Sequence, residues 1–413
     1  MAEYAGPGRD VLPPEGIEEV KIGWYGPVDP DHEEAGAMWC AAKLAIEEAN
    51  RAGGYNGHPF RLVASWSENP WGTGIKGVTR LVYDEGVWAI VGAPNGPSAH
   101  LVEQVVAKAR LAFLSPVSTD KTTNLANVPW IFSCAPGDHL QAPVLARALV
   151  DESDGRISAR AACFSLRGVS ISDDIAMVSR PPHGLKPADQ GDVIDAPPYR
   201  DRSLVVVSCT DHDSRMFVTE LLAALSNFEV FPALHLKFRP GSTDFRTQLR
   251  SISQAQPAAV ALIAGPQDAA RFLTAMRREG LTLPVFGGPA MGRKLFAEAA
   301  GPFAEGLLFP LLWHPSAAGE RSAIFTRRFR ERFGIEPDYT AAHTYDAMNL
   351  LITAIRRTGL NRVLIRDAIR DLSPWSGVTG TITWDPTGHN HRSVRLGTIR
   401  DGQVTPVGQY FRE

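Results

Sequence analysis

Apolar residues return along this chain in two alternating rhythms. The short run Val20-Lys21-Ile22-Gly23-Trp24-Tyr25 ends at Gly26-Pro27, and Met38, Ala41, Ala42, Ala45, Ile46 and Ala49 then recur at helical spacing. A short apolar run reads as a buried strand, and recurrence at i, i+3, i+4 reads as an amphipathic helix. Asn50 and the Gly53-Gly54 pair stop that helix. The alternation continues with a strand from Phe60 to Trp66, a helix from Thr73 to Tyr83, a strand from Trp88 to Val91, a helix opening at Ser98 and a strand from Leu111 to Leu114. Such an order predicts one doubly wound α/β lobe, assembled by about residue 130.

A second series follows. Ser203 to Ser208 predicts a buried strand, Ser214 to Leu225 a helix, Glu229 to Phe238 a strand and Phe245 to Ser253 a helix. Pro257 to Ala264 is the next strand, Gln267 to Glu279 the next helix, and Leu283 to Gly287 closes the series, which argues for a second parallel sheet. Helical spacing returns at Phe325 to Phe333, Ala341 to Thr358 and Arg362 to Leu372. A β-rich tail runs from Thr379 to Phe411 with a turn at Asp385-Pro386-Thr387-Gly388. Residues 152 to 202 break the pattern. They are rich in Asp, Arg, Pro and Gly, with only weak strand-like pieces at Arg160 to Leu166 and Ile175 to Val178. An inserted excursion with a role in dimerisation or partner docking is the expectation there.

Length supports the two-lobe reading, since 413 residues exceed what one core usually grows to. A hydrophobic share of 44% with 21% charged residues is globular composition. The net charge of -3, with Lys and Arg scattered, offers no footprint for nucleic acid. No apolar run approaches the roughly 18 residues of a membrane span, so direct membrane insertion is not expected. Cys40, Cys134, Cys163 and Cys209 are far apart and form no C-x-x-C pair, so they read as buried free thiols. Residues 1 to 18 read as a loose leader without a basic and apolar export signal.

The candidate chemistry clusters between Val87 and Thr119. The turn from Gly92 to Pro97 leaves the carboxyl end of one strand, and Ser98 is expected to cap the following helix. The backbone N–H groups around Gly96 would then favour an anion or polar oxygen, while Ser115, Ser118 and Thr119 bring hydroxyls from the next loop. No G-x-S-x-G elbow, Walker loop, H-E-x-x-H or dinucleotide fingerprint stands in a suitable place, so no enzyme and no cofactor are expected. His389-Asn390-His391 and Asp211-His212-Asp213 contain ligand-type side chains. Neighbours in an extended segment point to opposite faces, and no metal is expected at either.

Across nearly its whole length the chain resembles the type I periplasmic solute-binding proteins of the branched-chain amino acid and amide family, receptors of ABC uptake systems. The stretches that carry the likeness stand in the family's order: KIGWYGPV, AIEEANRAGGYNGHPFRL, LVYDEGVWAIVG, LSPVST, GSTDFRTQLRSI, REGLTLPVFGG, FRERFGIEPDYTAAHTYDAMNLLITAI and GVTGTITWDPTGH. The resemblance implies two Rossmann-like doubly wound lobes joined by three hinge crossings, with hinge closure over a small-molecule ligand. Lobe one would comprise 19–134 and 315–374, and lobe two 136–312 and 377–411. The crossings would fall at Ser133 to Pro136, Leu312 to His314 and Trp375 to Gly380.

Carried over residue by residue, the resemblance places ligand contacts at Asn95, Gly96, Pro97 and Ser98, at Val117, Ser118 and Thr119, at His212 and Asp213, and near Gly265 and Pro289. The family's ammonium-neutralising acid is absent near Pro289, and an unpaired buried ammonium costs several kcal/mol. An aliphatic amino acid is therefore expected only if Asp138, Asp211 or Asp213 substitutes; Tyr25, Trp24, Trp66 and Trp71 would otherwise face an aromatic or amide guest. The implied partners are the membrane subunits of an ABC permease, the implied compartment is the periplasm, and the implied state is monomer or homodimer. The alternative is a cytoplasmic small-molecule sensor of the same fold that regulates a partner protein.

Overall fold

The computed structural model describes residues 3–153 and 203–407. The excursion's strand-like pieces, its docking role and Cys163 lie outside them.

Two sheets organise the described chain. The first contains β1 (Val20–Tyr25), β2 (Phe60–Ser65), β3 (Ala89–Gly92), β4 (Ala112–Ser115), β5 (Ile131–Pro136) and β13 (His389–Asn390), in the order β13-β5-β4-β3-β1-β2. All its neighbours run parallel. Helices cover both faces, which is why β3, β4 and β5 are apolar without alternation and wholly buried. On one face α1 (Gly36–Arg51), α10 (Tyr339–Thr358) and α11 (Arg362–Asp371) bury a core with Trp24, Phe132 and Leu351. On the other lie the helical stretch of residues 70–84, which includes α2 (Ile75–Thr79), and α3 (Gly96–Ala109), packed over Tyr25, Leu101 and Phe113.

The second sheet runs β15-β14-β10-β9-β8-β6-β7, built from β6 (Leu204–Cys209), β7 (Leu234–Phe238), β8 (Ala259–Ile263), β9 (Val285–Gly287), β10 (Leu308–Leu311), β14 (Arg395–Arg400) and β15 (Gln403–Pro406). It is parallel through β10, and its last two strands are antiparallel. Its faces are covered by α4 (Asp138–Ser153) and α5 (His212–Ser226) on one side, and by α6 (Arg246–Ala255), α7 (Pro266–Arg278) and α8 (Lys294–Ala300) on the other. The helix α4 has no counterpart in the sequence reading. Pro143 sits inside it and interrupts the reading, although the buried Ala142, Leu145, Ala146 and Leu149 recur at i, i+3, i+4 and i+7. The strand expected over Glu229 to Phe238 begins only at Leu234, after a loop.

Three connections link the sheets. The first runs from β5 into α4, and the second from β10 through Leu312 to His314 toward α9 (Glu320–Phe333), which packs on lobe one. The third lies between β13 and β14, at residues 391–394. The hairpin of β11 (Trp375–Gly377) and β12 (Gly380–Ile382) lies with the first sheet, where Trp375, Ile382 and Trp384 pack on its core. The sequence reading places the third crossing in that hairpin; the apolar tail of residues 380–390 is held by lobe one instead. The crossings are tied together: Asn390 Nδ2 donates to the Cys134 carbonyl (2.8 Å), and Arg392 Nη2 donates to the Leu312 carbonyl (2.6 Å). Cys40, Cys134 and Cys209 are buried free thiols. No helix among the described residues is long and apolar enough to cross a membrane.

Candidate functional site

The carboxyl ends of both sheets face each other across a cavity of about 290 Å³. This is where an open α/β sheet leaves its loops free to hold a ligand. From lobe one come Pro94, Asn95 and Pro97 after β3 and Val117 and Thr119 after β4, flanked by Glu34, Tyr339 and Thr340, while Asp138 opens α4 of lobe two just past the first crossing. From lobe two come Asp211 to Ser214 after β6, Ala264 to Pro266 after β8, and Gly288 to Ala290 after β9. Phe217, Ile263 and Pro266 supply apolar wall.

The cap of α3 is Asn95, whose Oδ1 accepts from the Ser98 N–H at 3.1 Å; Ser98 is inside the first turn and is not the cap. The Gly96 N–H is engaged across the gap, donating to Asp213 Oδ1 (3.0 Å) and Oδ2 (3.3 Å). A carboxylate of lobe two thus occupies the helix terminus that the sequence reading reserves for a guest's anion, and the terminus favours it. A Cβ on Gly96 would fall 2.4 Å from Asp213 Oδ1, so this approach needs glycine.

Asp138 is the most exceptional group of the wall. The residue is 2% exposed, it lines the cavity, and its Oδ1 has no hydrogen-bond partner in the protein. Its backbone N–H donates to the Thr119 carbonyl at 2.7 Å, which fixes the two residues together. Burial pushes the Asp138 carboxyl up to about 8, the Thr119 hydroxyl opposes this, and the negative charges of Asp213, Asp120 and Glu220 add to it.

On lobe two, Asp211 caps α5 by accepting from the Ser214 N–H at 2.9 Å. His212 turns toward lobe one, its Nε2 lying 2.8 Å from Asp120 Oδ2, while Asp213 meets Gly96. Burial in the gap raises Asp213 to about 7, with the Asp211 charge adding and the Gly96 N–H opposing. Gly265 and Pro289 lie on the lining, where neither brings a charged side chain. Two further contacts clasp the lobes: Lys121 Nζ to Glu220 Oε1 at 2.6 Å, and Arg293 to Asp338 at 3.1 Å. Arg293, absent from the sequence reading, also donates to the carbonyls of Glu33 (3.2 Å) and Glu34 (3.0 Å). No local pattern around it signals this, because its partners are more than 40 residues away.

The lining is acidic. Glu34, Asp138, Asp211, Asp213 and Asp268 face Arg293 and His212, and Arg293 is committed to Asp338. Asp268 is itself paired with Arg271 at 2.6 Å, which leaves Asp138 as the buried carboxyl with an open oxygen.

Some expected contacts lie elsewhere. Tyr25 is fully buried in the lobe-one core beside Trp66, away from the lining, because β1 directs its ring under the helical stretch of residues 70–84. Trp24 is buried on the opposite face, where its Nε1 donates to the Pro27 carbonyl at 3.1 Å. Trp71 is 62% exposed, and Trp66 donates to Glu68 at 2.6 Å. Ser98 and Ser118 are buried and outside the cavity lining.

A family model described as "Periplasmic binding protein" matches residues 19–174 and 223–403. Among curated proteins no sequence matches the chain. Solved structures share its fold at low identity. The leucine-binding protein LivK of Thermotoga maritima is 20% identical with a TM-score of 0.75, over 94% of this chain and 98% of that one. The branched-chain amino acid transporter substrate-binding protein LivJ of Streptococcus pneumoniae, in complex with isoleucine, is 18% identical with a TM-score of 0.74, over 94% and 100%. An ABC transporter solute-binding protein of R. palustris, in complex with benzoate, is 14% identical with a TM-score of 0.74, over 94% and 96%.

Proposed function

The chain belongs to the periplasmic binding protein family, a binder and not an enzyme, and we propose that it serves an ABC uptake system as receptor for a small solute offering a nitrogen donor to Asp138. The observation that carries this reading is the open Oδ1 of Asp138 on the wall of a cavity of about 290 Å³. A buried carboxyl without a partner is costly, and an ammonium or amide N–H supplies what it lacks. Thr119 and Asn95 line the same cavity from lobe one, and Phe217, Ile263 and Pro266 can receive the guest's hydrocarbon part. The cavity is at the lower end for small-molecule sites, so the guest is of amino-acid size.

The neighbours with solved structures bind isoleucine in one case and benzoate in another. Of these two chemistries, the acidic wall favours the nitrogen-bearing one. A guest's carboxylate would have to displace Asp213 from the Gly96 N–H, so amines and amides suit the site better than free acids. In this reading the receptor works outside the cytoplasmic membrane and delivers its guest to the permease's membrane subunits.

A thermal-shift and calorimetric panel of amines, amides, ureas, amino acids and aromatic acids tests the proposal, since a cleft ligand raises the melting temperature by mass action. The expected hit is a nitrogen donor whose affinity falls about 100-fold, or ~2.7 kcal/mol, in Asp138→Asn. A tightest guest without nitrogen, or an unchanged affinity in Asp138→Asn, would overturn the assignment to Asp138. No hit at all would overturn the receptor reading.

A further inference from the structure

Beside the cavity, three metal-ligating side chains from separate parts of the chain converge on one point. His100 comes from the first turns of α3, Asp120 from the loop after β4, and His212 from the first turn of α5. Asp120 Oδ2 lies 3.0 Å from His100 Nε2 and 2.8 Å from His212 Nε2, and the three donor atoms all fall within 4.8 Å of one another. We propose that His100, Asp120 and His212 form a divalent transition-metal site, best matched by zinc, that fastens lobe two to lobe one in the closed form.

The donor set decides the metal class. Two imidazoles and one carboxylate suit zinc and its transition-metal neighbours, whereas calcium and magnesium call for oxygen cages. Zinc bonds of about 2.0–2.1 Å in a tetrahedron put ligand atoms about 3.4 Å apart, so Asp120 Oδ2 has to draw back about half an ångström from its two imidazoles, while the donor atoms as a set already lie within 4.8 Å of one another. Three protein ligands leave a fourth position for water or a guest.

The surroundings are arranged as such a site requires. His100 Nδ1 faces Glu103 Oε2 at 3.1 Å, which orients the ring and directs Nε2 to the meeting point. Glu103 is itself held, its Oε1 accepting from the Asn124 N–H at 2.9 Å. Asp120 Oδ1 accepts from the Thr122 N–H (2.8 Å) and the Thr122 hydroxyl (2.7 Å), which turns Oδ2 toward the two imidazoles; the same hydroxyl lies 3.1 Å from His100 Nε2 and would give way to the ion. These supports belong to lobe one, and His212 is the only ligand from lobe two. An ion held by all three therefore exists only when the lobes are shut, and by linkage it favours the shut state. Asp211 and Asp213 do not join: the first caps α5 and the second meets Gly96.

The test uses the full chain, free of any tag and stripped with chelator, titrated calorimetrically with zinc and, separately, with cobalt for its visible absorption. One ion per chain is expected, with a cobalt spectrum of low coordination number. His212→Gln should weaken zinc at least 100-fold, and so should His100→Gln, the partly exposed His212 position guarding against misfolding as the cause. Small-angle scattering should show zinc making the unliganded wild type more compact, a change absent in His212→Gln. The chain has 11 histidines, so zinc held equally well by a His100→Gln/His212→Gln double variant would assign the ion elsewhere and overturn the site. No binding at micromolar zinc would do the same, and binding without compaction would overturn the clasp.

Discussion

Two buried carboxyls, Asp346 near the hinge and Asp138 in the cleft, stand in opposite conditions. Asp346 on α10 accepts from the Val378 N–H (2.8 Å), the Thr379 N–H (2.8 Å) and the Thr379 hydroxyl (2.6 Å), which pins the turn of the β11–β12 hairpin. Asp138 has one oxygen without a partner in the protein, and the residue lines the cavity. Burial raises both, Asp346 to about 6 and Asp138 to about 8; three donors counteract the effect at Asp346, whereas Asp138 has chiefly the Thr119 hydroxyl. One carboxyl is satisfied from within the chain and serves the fold. The other, in the proposed reading, is satisfied by the guest, and the empty protein bears the cost.

The comparison breaks most readily at Asp346. Its replacement by Ala strands three buried donors and should cost about 3–5 kcal/mol in denaturant unfolding, whereas Asp138→Ala should leave stability within about 1 kcal/mol of wild type. Equal losses would mean that the two carboxyls do the same work. The pH dependence sharpens the contrast. Each carboxyl is raised in the folded state, so the folded chain holds its proton longer than the unfolded one, and stability falls as pH climbs from the ordinary aspartate range to the folded value. The contribution of Asp346 ends near pH 6, while that of Asp138 continues to about pH 8. Between pH 6 and 8 the unfolding free energy of the empty wild type should therefore decline relative to Asp138→Asn, and parallel curves would refute the assignment. The smallest effect is expected at the other side of the cleft. Gly96→Ala forces a methyl against Asp213 and should weaken guest binding a few-fold by resisting closure, with no loss in melting temperature of the empty protein. A lower melting temperature would show that Gly96 matters to lobe one itself.

The sheets were legible because buried strands leave unmistakable apolar runs: KIGWY in β1 and LVVVS in β6 read as strands without further help. What escaped was set by partners far along the chain. The Gly96 N–H is taken by Asp213, 117 residues away, and His212 meets Asp120 across 92. Tyr25 stands at a strand end, as a ligand contact would, and only the packing of residues 70–84 shows that its ring is buried. The sequence alone places the cap of α3 at Ser98, one turn late, because Asn95 and Ser98 both suit the role, and the bond from Ser98 N to Asn95 Oδ1 decides between them. The third crossing escapes the sequence for a related reason: Trp375, Ile382 and Trp384 look like an apolar strand of either lobe, and the core they join is a tertiary fact.

The lacing at the waist has a consequence for motion. Because Asn390 grips the Cys134 carbonyl and Arg392 grips the Leu312 carbonyl, the connecting strands must flex as one ply and cannot slide past each other. Gaping then reduces to nearly a single angle of swing, and any outside reader of cleft occupancy has just that one angle to sense.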